Sequence, residues 1–400
     1  MTNPSKYLGN ELKYLEQVLN GESWSATGGS WAHNLEQEMA KKVGARYAVA
    51  FNSGTSTLHA ALEAVGVMPG DEVISPALTV IMDTTATLHA NAIPVYCDID
   101  PNTFTIDPRD IEQKVTDRTK AIIVVALYGN PPDMEWIFDI ASQKNIPVIM
   151  DAAQAVGAKY KGYDIGRCGT IASYSFEASK ILSCGEGGMI TTEYDYLAEK
   201  CRKIGGHGFK NLTASEGRVR LNQDLFQDPN YKRHDMIGWN YRMPEFTAAV
   251  ALAQLERVDE LIRLRVESAK IFMEVMSQCD YLIPQKVLDD CVNTYYTLGV
   301  RYLSEKTGVS WQEFRKSYIE EGGDGIYGAW AVPYLEPCMT ERQFVKRFPA
   351  MYEGIRYDTG MCPIAEAVQP TIMQFKTNYR DLELAKVKAD ALDKTIRKYK

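Results

Sequence analysis

The chain has 400 residues, 45% of them apolar, with 52 acidic against 44 basic side chains and a net charge of −8. Length alone predicts two or three domains around a substantial core, and the acidic balance, with a pI near 5.4, argues against the basic face that non-specific nucleic-acid binding needs. The opening Met1–Lys6 has no apolar leader and no stretch reaches ~18 uninterrupted apolar residues, so a cytoplasmic protein with no membrane contact is expected.

Taken in chain order, the first informative segment is the aromatic loop from Ser23 to Trp31, which reads either as a stacking surface or as packing. Tyr47–Phe51 then reads as a strand. It runs into Asn52-Ser53-Gly54-Thr55-Ser56, which opens a segment with apolar residues at helical spacing (Leu58, Ala61, Leu62, Val65). Further short apolar runs at 71–75, 93–97, 121–127 and 147–150 alternate with helical patterns, the rhythm of parallel strands joined by crossover helices. The last of these runs delivers Asp151, with Gln154 three residues on. Lys180 follows the apolar Ser173-Tyr174-Ser175-Phe176 and precedes the turn Gly185-Glu186-Gly187-Gly188. Beyond it, 188–192 reads as a strand with a helix to about Lys203, and 211–234 as a polar, irregular stretch, either a surface excursion, the favoured reading, or a mobile lid over the site. Apolar positions recurring every three residues predict one long helix from Met243 to Met276. Tyr295–Tyr302 is strand-like, a closing helix runs to Lys400, and Gly325–Trp330 is a second aromatic-rich run. The expected division is 1–265 for a large α/β domain and 266–400 for a smaller one.

In sheets of this kind ligands bind beyond the carboxyl ends of the strands, where Ser53-Gly54-Thr55 and Asp151 fall. A helix start at Gly54 and Thr55 offers backbone N–H groups and a positive dipole end to an anion, although alone it reads equally as a simple N-cap. A strand-ending Asp151 alone reads as a cap or a metal ligand. Combined with the amine of Lys180, these groups form the set that pyridoxal 5'-phosphate requires: a phosphate site, a carboxylate against the pyridine nitrogen, and a lysine able to form a Schiff base. Burial is expected to depress the amine pKa, and Gln154 is placed to reach the ring hydroxyl. The eight cysteines contain no Cys-x-x-Cys pair and the five histidines no ligand spacing, so free thiols and no metal site are expected. Cys184 reads as a small buried residue.

The runs Ser53-Gly54-Thr55, Leu127-Tyr128-Gly129-Asn130-Pro131, Asp151-Ala152-Ala153-Gln154, Ser173–Phe176, Lys180, Gly185–Gly188 and Gly238–Glu245 resemble, in order and spacing, the DegT/DnrJ/EryC1/StrS family of sugar aminotransferases. The resemblance is strong over about residues 10–265, and Cys362–Glu366 looks like the family's small-domain signature. It implies the fold-type I (aspartate aminotransferase-like) α/β architecture, pyridoxal phosphate as cofactor, L-glutamate as amino donor and a keto sugar, usually nucleotide-linked, as acceptor. By resemblance Lys180 is the Schiff-base lysine and Asp151 the pyridinium partner. Gln154 is the contact to the ring hydroxyl, and Gly54, Thr55 and Ser175 hold the phosphate. Asn240 is the residue that reaches the neighbouring subunit's site, which implies a homodimer with shared sites. Three departures stand out: Val80 where relatives place an aromatic over the ring, Glu177 where histidine or an aromatic is common, and Ala126 for a histidine. Because the family's dehydratases carry histidine at the lysine position, Lys180 favours transamination. The alternatives are an aminotransferase for a free keto sugar acid, another fold-type I enzyme such as a lyase, or a non-catalytic cofactor-binding regulator.

Overall fold

The computed structural model describes residues 3–21, 23–219 and 221–399. Its strands are β1 (Tyr47–Phe51), β2 (Glu72–Pro76), β3 (Ile93–Cys97), β4 (Thr119–Val125), β5 (Val148–Asp151), β6 (Lys159–Tyr160), β7 (Tyr163–Asp164), β8 (Ile171–Ser175), β9 (Gly188–Thr192), β10 (Leu282–Pro284), β11 (Cys291–Val292), β12 (Leu298–Tyr302), β13 (Tyr327–Gly328) and β14 (Ile372–Phe375). A seven-stranded sheet in the order β1-β9-β8-β5-β4-β2-β3 forms the large unit. All its strands run parallel except β9, which pairs antiparallel with both β1 and β8. Strands such as β5 are buried along their whole length, which is why they read as continuous apolar runs: helices cover both faces of a parallel sheet. One face packs Ile123 and Ile149 against Leu58 and Leu62 of the helix Gly54–Ala64, and the other packs Ile122, Val124 and Met150 against Leu35 and Met39.

The chain from Glu245 to Met276 departs from the expected single helix. It forms two, Glu245–Glu256 and Val258–Met276, broken at Arg257 with φ −111° and ψ 6°. Apolar residues spaced by three drift by about 60° per step around a helix of 3.6 residues per turn. One straight helix cannot keep Ala249 through Leu264 on a single face, and the break lets each half choose its own. The first half buries residues nearly all round, packed between the helices Glu11–Leu19 and Trp31–Val43. The second buries Leu261, Leu264, Ser268, Phe272 and Met276 on one stripe.

A second, antiparallel sheet in the order β10-β12-β14-β13 packs with Phe272, Phe314, Tyr318 and the closing helix Leu382–Lys398 into a separate core. The strand expected from Tyr295 pairs only from Leu298, because Tyr295 adopts φ 47° and turns the chain out of the sheet. Between β13 and β14 the chain crosses back to the large unit. Tyr334, Phe344, Tyr352, Tyr357 and Ala365 join its core, and the hydroxyls of Tyr352 and Tyr357 donate to the carbonyls of Ala92 and Pro94 at 2.9 and 2.8 Å. Among the described residues of 211–234 about half are exposed and most of the rest half-buried, with one short helix, Gln223–Gln227.

Candidate active site

The carboxyl ends of five parallel strands and the start of β9 meet at one cavity of about 490 Å³, which the second sheet closes. Beyond β1, Ser53 caps the helix Gly54–Ala64: its Oγ accepts from Ser56 N at 3.1 Å and its carbonyl from Thr57 N at 3.2 Å. A helix leaves its first four N–H groups without internal partners, so those of Gly54 and Thr55 remain for a ligand at the positive end of the helix dipole. Ser175, at the end of β8, faces them. A Cβ on Gly54 would lie 2.7 Å from Ser175 Cβ, so glycine is required for this close approach. Thr57 Oγ1 and Ser173 Oγ, 2.6 Å apart, tie the helix to β8.

Asp151, at the end of β5, is 3% exposed and accepts Ala153 N at 2.9 Å. Burial pushes its carboxyl up from the usual range, while the Ala153 N–H and the Lys180 charge pull it back. Gln154 uses its Oε1 to accept Tyr128 N at 2.7 Å, which leaves its amide NH₂ to face the cavity. That bond pins Tyr128 in the left-handed region, φ 63°.

Lys180 is half-buried, in a turn that follows β8, with Nζ 4.8 Å from the centroid of the Tyr296 ring. Tyr296 Oη and Ser179 Oγ lie 2.8 Å apart. The N-terminal segment straps this turn: Lys6 Nζ donates to Ala178 O at 2.5 Å and to Lys180 O at 3.3 Å, and Tyr7 Oη lies 3.1 Å from Ser183 Oγ. Burial first, then the charges of Arg265 and Arg380, lowers the Lys6 pKa to about 8. Glu177 accepts Ser179 N and Oγ at 2.9 and 2.5 Å. Against the upward pull of partial burial, these bonds and the nearby lysines hold its carboxyl low.

The structure therefore brings Gly54, Thr55, Val80, Asp151, Gln154, Ser175 and Lys180 to one cavity. Asn240 is exposed and lies outside the cavity of its own chain, paired through its backbone with Gly206. Sequence reading did not single out Leu58, Met82, Tyr128 or Tyr296 as lining residues, nor Gln374. The run 325–330 reaches the site through Trp330, whereas Trp31 packs on Tyr14 at 4.9 Å between centroids. Burial raises the Cys184 thiol to about 12, an inert side chain. Cys97, Cys168, Cys184, Cys201, Cys291, Cys338 and Cys362 are free thiols, no metal-ligand cluster occurs among the described residues, and no described helix is long and apolar enough to cross a membrane.

The whole chain superposes on the aminotransferase from Psychrobacter cryohalolentis with a TM-score of 0.88, at 27% identity and covering 100% of this chain and 99% of that one. The fold is thus that of the fold-type I, pyridoxal phosphate-dependent aminotransferases. Two relatives narrow this further. The GDP-perosamine synthase of Escherichia coli O157:H7 is 36% identical over 73% of this chain and 75% of its own length. The spore coat polysaccharide biosynthesis protein SpsC of Bacillus subtilis (strain 168) is 37% identical over 84% of this chain and 83% of its own. Residues 7–347 match the DegT/DnrJ/EryC1/StrS aminotransferase family, to which this chain belongs.

Proposed function

We propose that the enzyme moves an amino group from L-glutamate to a nucleotide-linked keto sugar in the making of an amino sugar for a surface polysaccharide or related glycoconjugate. The observation that carries this reading is the convergence on one cavity of an amine, a buried carboxylate and a helix start with two unclaimed N–H groups. These residues fit pyridoxal phosphate. The cradle that a Cβ on Gly54 would fill suits an anion, and Asp151 is a buried carboxylate whose neighbours among the cavity groups include only one cation, Lys180.

When bound, the cofactor supplies an aldehyde that carries amino groups and a protonated ring that withdraws electrons from the reacting carbon. The N–H groups of Gly54 and Thr55, with the Ser175 hydroxyl, would hold its phosphate. Asp151 would keep a proton on the ring nitrogen, the Gln154 NH₂ would meet the ring hydroxyl, and Val80 would cover the ring where no aromatic is present. Lys180 Nζ would anchor the aldehyde carbon and, once displaced by substrate, carry the proton at the reacting carbon. Asn240 would complete the site of a second copy in a homodimer. In this reading residues 1–265 hold the cofactor. Residues 266–400, apart from the returning stretch 333–368, close the cavity with Ala329, Trp330 and Gln374.

The relatives' names support the acceptor class, and the exposed Trp330 at the cavity wall offers a stacking face to a sugar or base. The test loads purified protein with pyridoxal phosphate and adds L-glutamate. Loss of the yellow absorbance with release of 2-oxoglutarate, reversed by a nucleotide-linked keto sugar, is expected. A response to another amino acid but not to glutamate removes the donor assignment. Response to no amino acid at all removes this reading of the site.

A further inference from the structure

Asp83 stands in the first turn of the helix Ile81–His89, a place where an aspartate is ordinarily solvated and favoured by the helix dipole. Here it is 0% exposed. Its Oδ2 accepts Thr79 Oγ1 at 2.6 Å, and its Oδ1 has no donor. The carboxyl that Asp83 meets is that of Asp151, behind the cavity wall that Asp151 shares with Thr79, Val80 and Met82.

Two buried carboxyls in contact cannot both be ionised: like charges and loss of water together drive one of them to keep its proton. Their surroundings decide which. Asp151 receives the Ala153 N–H and lies in the field of Lys180. Asp83 is faced by the hydroxyl of Thr79, by Asp151 itself and, from β3, by the neutral phenol of Tyr96, which lies 2.9 Å from Thr84 Oγ1. Thr87 Oγ1 bonds only its backbone carbonyl. Among the described residues no cation faces Asp83, and burial followed by the Asp151 charge pushes its carboxyl well above the ordinary range. A proton on Asp83 also gives its orphaned Oδ1 a function, as donor rather than bare acceptor. An unpartnered buried carboxylate oxygen is costly, and the shared proton removes that cost.

We propose that Asp83 is a positioning residue for Asp151: held as the neutral acid, it donates a hydrogen bond that fixes the Asp151 carboxylate and keeps its negative charge for the cofactor ring nitrogen. The proposal rests on the reading of Asp151 given above. The pair holds one proton and one negative charge, so the site gains a donor behind Asp151 without a competing cation. It also links the loop after β2, which carries Val80, to the end of β5.

The test compares full-length wild type with Asp83→Asn, which retains an N–H donor, and Asp83→Leu, which does not. In cofactor-free protein at pH 7, the infrared difference spectrum of wild type minus Asp83→Asn is expected to show a carboxylic-acid C=O band. A raised folded pKa means that Asp83 stabilises the fold only while protonated. Wild type should therefore lose stability relative to Asp83→Asn as pH rises above the unfolded value of ~4. Pyridoxal phosphate is expected to bind Asp83→Asn within about 3-fold of wild type and Asp83→Leu roughly 10- to 100-fold more weakly, the effect of losing one hydrogen bond to a charged group. Absence of the acid band, or equal weakening by Asn and Leu, overturns the proposal. The infrared comparison needs no Leu variant, so it decides even where that variant fails to fold. Asp151→Asn in the same binding assay separates the two readings. Unchanged cofactor affinity there rejects Asp151 as the ring partner, whereas the acid band in cofactor-free protein reports on the proton held by the carboxyl pair, independent of any contact with the cofactor.

Discussion

Replacing Gly54 with alanine adds one methyl group at the tightest point of the cavity wall. The new Cβ would sit 2.7 Å from Ser175 Cβ, 3.2 Å from its Oγ and 3.3 Å from its Cα. Gly54 is absent from the residues with positive φ, so an L side chain fits its backbone and the penalty is purely steric. Overpacking of this kind costs about 1–3 kcal/mol. Relief requires the helix start to move away from Ser175, and this would spread the donors proposed to hold the phosphate. Titration of cofactor-free Gly54→Ala with pyridoxal phosphate should show binding at least about 10-fold weaker, since ~1.4 kcal/mol is tenfold, together with a lower melting temperature. Ser175→Gly removes the Cβ against which the methyl clashes, so the double variant should be less destabilised than the sum of the two single ones. Wild-type affinity and melting temperature in Gly54→Ala would refute the argument that this close approach shapes the site.

Gln154→Leu deprives Tyr128 N–H of its acceptor. Cofactor-free protein should lose about 1–3 kcal/mol by denaturant titration, while Gln154→Glu, which keeps an acceptor, should lose less; equal losses would contradict the assigned bond. Lys6 has its pKa lowered from 10.5 to about 8 in the fold, so between those values the unfolded chain binds the extra proton. Stability of wild type relative to Lys6→Met should therefore rise as pH climbs from about 8 to 10.5 and stay level below about 8, where both states hold the proton. A flat difference would show that Lys6 is not held as described. Mixed dimers of Asn240→Ala and Lys180→Ala subunits should show activity that is not the average of the two parents, and simple averaging would place Asn240 outside any shared site.

Much of the cavity's lining was legible because it sits in short local runs. A strand that ends in Asp151, a serine-glycine helix start and a lysine between an apolar strand and a glycine turn each mark the carboxyl edge of a parallel sheet, and the fold brings those edges together. Groups delivered by tertiary approach were not legible. Tyr296 enters the cavity because Tyr295 leaves the strand at positive φ. Tyr128 is held by a side chain 26 residues away. Asp83 gives no local sign that it faces Asp151 rather than water. The break at Arg257 was hidden by a three-residue repeat that mimics a helix while drifting around it. The return of 333–368 to the large unit rests on hydroxyl-to-carbonyl bonds that span some 260 positions in sequence, as from Tyr352 to Ala92, for which no local pattern exists.

Borohydride reduction of the pyridoxal phosphate-loaded protein, followed by proteolysis and mass mapping, locates the amine that joins the cofactor. The modification is expected on Lys180, in the peptide that follows β8, with none in Lys180→Ala. A modified lysine elsewhere, or no stable modification, would contradict the site as assembled here.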